Sequence, residues 1–332
     1  MKREMGVFIA VVILLFCSFS VSADVNINRL SGESVQMGAN PISGVPQYSW
    51  YHGCSPTSGG MLFGYWDSHA SGNWSNLVDG DVSTWNATAQ NMVASPEHIA
   101  DYWGTPDPNP GNHNDNCIAD FMHTSRSGEG LGDGGTWSSN IPTGLRDYAL
   151  WDDPATAINE SYNCDSWLDD VSYYSGTFGW DAYKNEIDAG NPMLLDLIEW
   201  HGGSDWYGHS VVGYGYQENM FDIRIYDGAW QNITVGGFAI WDTWNTTSSQ
   251  SSWMDWNSGT VLSVTDTNGV EWWPFLDITS TNGYSYNGTY WDWMVVEGVY
   301  FHPGTPVPEP SFIITLLSLS SGMLAIKRFR KK

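Results

Sequence analysis

The chemistry-bearing residues of the chain gather in three short segments. Gln47-Tyr48-Ser49-Trp50-Tyr51-His52-Gly53-Cys54 ends on a thiol, Gly208-His209-Ser210-Val211-Val212-Gly213-Tyr214 carries an imidazole, and Ile225-Tyr226-Asp227 ends on a carboxylate. A thiol becomes a nucleophile when its thiolate is favoured, which the positive end of a helix and a neighbouring imidazolium both achieve. His209 then serves as base and later as acid, and Asp227 would fix its tautomer and orientation. Gln47 would offer its amide, beside the Cys54 backbone N–H, to an oxyanion. Asp227 precedes Gly228, so the same dipeptide also fits a turn.

These roles require a helix that starts at the thiol and a sheet that carries the other two groups. Pro56 stands at a first-turn position, and Met61, Leu62, Tyr65 and Trp66 recur on one helical face, so a short buried helix starts just after Cys54. Its glycines must be offset by the close approach of another element. Residues 68 to about 180 are rich in Gly, Asn, Asp, Ser and Trp and read as a loop-rich insertion with short helices at 87–93 and 96–102. A helix is expected over 183–189, with Gly190 as its stop. The apolar run from Met193 to Ile198 then reads as a central strand, and further strands are expected over 210–216, 221–226, 237–243 and 293–301. The fold class is α+β.

In this order the segments resemble the papain-like cysteine peptidases, and most closely the branch related to bacteriocin-leader-processing (double-glycine) peptidases. Gln47, Cys54-Ser55-Pro56-Thr57, Asn191-Pro192-Met193-Leu194-Leu195, Gly208-His209-Ser210-Val211-Val212-Gly213-Tyr214 and Asp227 match that pattern in sequence. The resemblance implies a nucleophile helix packed on an antiparallel sheet and a Cys54–His209–Asp227 triad with Gln47 at the oxyanion. Ser55 departs from it, since glycine usually follows the nucleophile there, and so does the 155-residue gap from Cys54 to His209.

Basic groups are scarce: Lys+Arg number 12 against 37 Asp+Glu, which excludes binding to nucleic acid through a basic groove. Lys2 and Arg3, the apolar run Val7 to Phe16 and Val21-Ser22-Ala23 read as a signal peptide, residues 1–23, removed before Asp24. At the other end, residues 307–332 combine Val307-Pro308-Glu309-Pro310, a short apolar run over 311–326 and a basic tail. That order resembles a PEP-CTERM sorting signal, which implies an exosortase partner and transient attachment to the inner membrane through a short helix. The reading is of an exported protein that reaches the cell envelope or the outside after processing. The body between these ends, 24–306, has five basic residues (Arg29, Arg126, Arg146, Lys184, Arg224) and is strongly anionic, which favours basic or neutral peptides.

With Cys17 lost in the signal, Cys54, Cys117 and Cys164 remain, and the polar flanks of the last two suit a Cys117–Cys164 disulfide that leaves Cys54 as the thiol. His52, His98, His113, His123 and His201 fit no zinc-ligand spacing, so no cofactor is expected. Loop carboxylates at Asp79-Gly80-Asp81 and from Asp107 to Asp115 offer only a weak Ca²⁺ reading. Two alternatives use the same residues differently: a non-catalytic surface or matrix protein whose 20 Trp bind exopolysaccharide, and an acyl transferase or amidase that shares the triad.

Overall fold

The structure is a computed structural model and describes residues 41–69, 77–151, 164–170, 178–200, 206–226, 230–244, 264–265, 270–275 and 294–303. The expected signal peptide and sorting signal lie outside these residues. Among the described residues no helix is long and apolar enough to cross a membrane.

The helix expected after Cys54 is α1 (Cys54–His69), and every residue from Ser55 to Tyr65 is buried. It is a central helix with no solvent face over this stretch, and its burial of Met61, Leu62 and Phe63 stabilises the fold by roughly 1.5–3 kcal/mol for each side chain. Gly64 explains why glycine is tolerated there: a methyl group at this position would lie 2.6 Å from the Val82 carbonyl oxygen and 2.8 Å from the Pro46 ring. The helix can press this closely on the segment 46–48 only because it carries no side chain at that point. Tyr48 donates its hydroxyl to the carbonyl of Val82 at the same contact.

Around α1 stand α2 (Ala87–Val93), α3 (Pro96–Tyr102), α4 (Ile118–Phe121) and α5 (Asn140–Ala149). Their caps are legible in sequence. The Asn86 side chain accepts from the N–H groups of Thr88 and Ala89, and Ser95 accepts from that of His98 with Pro96 opening the helix. The span expected to be a loop-rich insertion therefore supplies most of the helical layer, and it also holds β1 (Cys164–Asp170).

The chain continues with α6 (Trp180–Asp188) and then β2 (Met193–Trp200), β3 (Trp206–Tyr226), β4 (Trp230–Trp241), β5 (Val264–Thr265), β6 (Glu271–Pro274) and β7 (Met294–Pro303). The seven strands lie in the order β1-β7-β2-β3-β4-β6-β5, with antiparallel neighbours throughout. One face, with Leu194, Val212, Tyr214, Val299 and Phe301, packs on α1 and the helices around it. The other, with Leu195, Leu197, Val211, Ile240 and Val295, packs on Tyr183 and Ile187 of α6. Burial of both faces explains why β2 reads as an unbroken apolar run.

One expectation is corrected by the register. The strands expected at 210–216 and 221–226 are a single strand of 21 residues. The polar stretch Gln217-Glu218-Asn219 between them is an irregularity in the ladder, where pairing shifts between Gln217 and Phe221 and Asn219 adopts φ 51°. A bulge keeps the strand going where a turn would end it. Paired with β4, it forms one long hairpin in which Tyr226 pairs with Trp230 and Val212 with Trp241.

The packing of α1 gives a direct test. Gly64→Ala is expected to lower stability by about 1–3 kcal/mol, because the added methyl would meet the Val82 carbonyl and the Pro46 ring as well as the Tyr48 hydroxyl; thermal unfolding of the variant against the parent measures it.

Candidate active site

Cys54 is the first residue of α1, at the end of the helix where backbone N–H groups have no partner within the helix. A sharp turn delivers it there. His52 has φ 54° and Gly53 φ 151°, and the Thr57 hydroxyl folds back on this turn, accepting from Tyr51 N–H (3.0 Å) and donating to the Gly53 carbonyl (2.6 Å). A side chain at position 53 would collide with Pro56 and Thr124, so both the backbone conformation and the space demand glycine. The half-buried rings of Trp50, Tyr51, His52 and Trp103 pack edge to face beside this turn.

His209 lies on β3, with its side chain fully buried. Its Nε2 is 2.9 Å from Oδ1 of Asp242, and the same carboxylate oxygen accepts from the N–H of Trp244 (2.9 Å). The Trp244 ring stacks flat on the imidazole, with centroids 3.2 Å apart and planes within 10°. Asp242 takes up Nε2, so Nδ1 is the ring nitrogen that can meet the Cys54 thiol, whose ionisation is coupled to His209. Burial alone would raise the thiol pKa. The interaction with His209, its charge and the Ser210 backbone N–H outweigh burial, and the Cys54 thiol titrates below its ordinary value. Burial likewise opposes a charged imidazole, but Asp242 and Cys54 together lift His209 to about 9. Both shifts favour a thiolate–imidazolium pair over two neutral groups.

The acidic partner of His209 is thus Asp242, which the sequence reading missed. Asp227 lies outside the described residues, but Tyr226 before it ends β3, 17 residues along the strand from His209. At about 3.3 Å per residue that is roughly 55 Å of extended chain. The hairpin turns at the far end and brings β4 back alongside, so that Asp242, just past Trp241, arrives next to His209. The pairing that sets Trp241 opposite Val212 includes two register shifts in the ladder, which no local signal in the chain marks.

Gln47 is exposed and lies on a segment tied to the same strand end. Trp241 Nε1 donates to the Val45 carbonyl (3.0 Å), and Trp50 N–H donates to the Thr243 carbonyl (2.9 Å). Behind the pair, Ser210 donates to Oδ1 of Asp196 (2.6 Å), a carboxylate that burial, reinforced by nearby Glu297, raises to about 7. His52 stands two residues from Cys54 but is a poor base: burial, with His98 beside it, lowers it to about 4.

A second cluster of titratable groups lies in the helical layer. His98, Cys117 and Asp120, all buried, present donor atoms within 4.8 Å of one another. The Asp120 carboxylate accepts from His98 Nδ1 (2.6 Å), His113 Nε2 (3.0 Å), Asn116 N–H (3.1 Å) and the Cys117 thiol (3.2 Å). Burial would raise its pKa, but these partners hold it down at about 2. Of the loop carboxylates, Asp81 accepts from the Ser83 N–H and closes its own turn, while Asp107 accepts from the N–H of Ser127, 20 residues on, and ties two loops together.

Cys117 corrects the expected Cys117–Cys164 disulfide. Its thiol is free and fully buried, and burial with Asp120 alongside pushes it well above the ordinary thiol range. The side chain of Cys164 lies outside the described residues. Under native conditions Cys117 is therefore expected to resist iodoacetamide and to be labelled only after unfolding, as peptide mass mapping of both states would read.

The model of the Peptidase_C39 like family matches residues 41–257, about two thirds of the chain, and spans Cys54, His209 and Asp242. No curated protein matches. The match and the helix-on-antiparallel-sheet architecture agree with each other and with the resemblance carried by the Cys54 and His209 segments, and the chain belongs to the Peptidase_C39 like family.

Proposed function

We propose that this protein is an exported cysteine peptidase that works through Cys54, His209 and Asp242. The observation that carries the reading is the placement of Cys54 at the head of α1, its ionisation coupled to an imidazole whose Nε2 is held by Asp242. Sγ of Cys54 attacks the peptide carbonyl carbon. The oxyanion that forms is met by the Cys54 N–H and the Gln47 amide. As the C–N bond breaks, His209 gives its Nδ1 proton to the leaving amine and a thioester remains. His209 then takes a proton from water, the hydroxide attacks the thioester, and Sγ leaves as thiolate with the acid product.

Asp242 orients His209 and stabilises the imidazolium, while Trp244 covers the ring and shields the His209–Asp242 bond from water. The anionic body favours peptides with basic residues. Export follows from the signal-like N-terminus, and exosortase processing and transient inner-membrane attachment follow from the PEP-CTERM-like tail.

Hydrolysis of a mixed peptide library should disappear with Cys54→Ala; a variant that keeps full activity would overturn the reading. Asp242→Asn should lower kcat/KM at least about tenfold through loss of imidazolium stabilisation, while Asp227→Asn leaves it near the parent value. Activity should also rise with pH as Cys54 ionises, below the ordinary thiol range, and fall as pH passes about 9, where His209 loses the proton it must donate.

A further inference from the structure

Cys54 and His209 sit on different elements, and the residue next to each is engaged with the other's element. The Ser55 hydroxyl lies 2.8 Å from that of Ser210, the Ser58 hydroxyl donates to the Ser210 carbonyl (2.9 Å), and Ser210 donates its own proton to Asp196 on β2 (2.6 Å). The Ser210 N–H faces the Cys54 thiol. All four residues are at most 6% exposed, so water does not substitute for these bonds. Ser210 has one hydroxyl proton, so while it gives that proton to the Asp196 carboxylate Ser55 is the donor in the bond between the two serines. The bonds link the nucleophile helix through the base strand to β2.

From this geometry we infer that Ser55, Ser210 and Asp196 form a positioning clamp that sets the Cys54 thiol against His209. The inference rests on the reading of Cys54 and His209 as the reacting pair. Ser55 and Asp196 act through Ser210, whose backbone leads directly into His209. Glycine, the usual residue after the nucleophile in the pattern this segment resembles, has no hydroxyl to give. The clamp is therefore a feature of this chain, and Ser55 is the residue that closes it. With Ser55 absent, α1 keeps the Ser58 bond as its anchor on β3, one turn away from the thiol.

Two readouts on the full chain test the clamp: the pH profile of Cys54 alkylation by iodoacetamide, and amide hydrogen exchange over 54–58 and 208–212. Ser55→Ala is expected to move the alkylation profile up by about one pH unit, so that labelling at pH 6 falls about tenfold. Exchange should rise in both segments together, because the lost bond joins them. Ser55→Thr, which keeps the hydroxyl, should restore both, and Asp196→Asn, which keeps an acceptor oxygen for Ser210, should lie between. If Ser55→Ala folds and matches the parent in both readouts, or if Ser55→Thr fails to rescue, the clamp is overturned. If the parent itself shows no alkylation at pH 6, the peptidase reading fails, and the exchange data alone decide the clamp.

Discussion

The contact between the first turn of α1 and the strand β3 governs the rest of this structure. A helix terminus carries unpaired N–H groups and a positive potential, and it is useful to a thiol only if an imidazole can be brought to the same point. Bringing it there requires a helix that can lie almost flush on the sheet. The buried run Ser55 to Tyr65 achieves this with small residues where elements touch, so that Ser58 reaches the β3 backbone and Gly64 admits the chain at 46–48. The helix is poor in intrinsic propensity and is held by its surroundings, as expected when tertiary packing decides helix formation.

The same contact creates an electrostatic cost that neighbouring residues offset. A fully buried imidazole does not readily hold a proton, yet His209 is surrounded by groups that favour the charged ring: Asp242 at Nε2 and the thiol opposite. Asp242 is in turn fixed by the Trp244 N–H, and Trp244 covers the ring it helps to orient. Carboxylate, imidazole and indole thus make a unit in which each group's position is set by another. The nearby Asp196 feels the opposite balance. Burial, with Glu297 across the ladder, outweighs the Ser210 bond and the charge of His209, and its carboxyl is held towards the neutral form.

The helical layer uses charge differently. Asp120 gathers two histidines, a thiol and a backbone N–H around one carboxylate and thereby ties α3, the loop before α4 and α4 itself into a block. In a region so rich in glycine and asparagine, where apolar periodicity is weak, a hydrogen-bonded polar hub does what a hydrophobic stripe does elsewhere. The block stands beside the Cys54 turn: the Gly53 position abuts Thr124, just beyond α4.

Much of this was legible in the residues themselves. Pro56 and the apolar spacing after it marked α1, Asn86 and Ser95 marked their helices, and the unbroken run Met193 to Ile198 marked a strand buried on both faces, because caps and periodicity are local properties of the chain. The α+β class followed from their order. The length of β3 did not, since Gln217-Glu218-Asn219 has the composition of a turn and only pairing with β4 keeps it extended as a bulge. That pairing also brings Asp242 to His209, and burial rather than bonding to a second cysteine sets the state of Cys117. Residue types and their spacing along the chain determined which groups were available for chemistry. Strand register, a long-range property that moves every side chain when it shifts, decided which of them met.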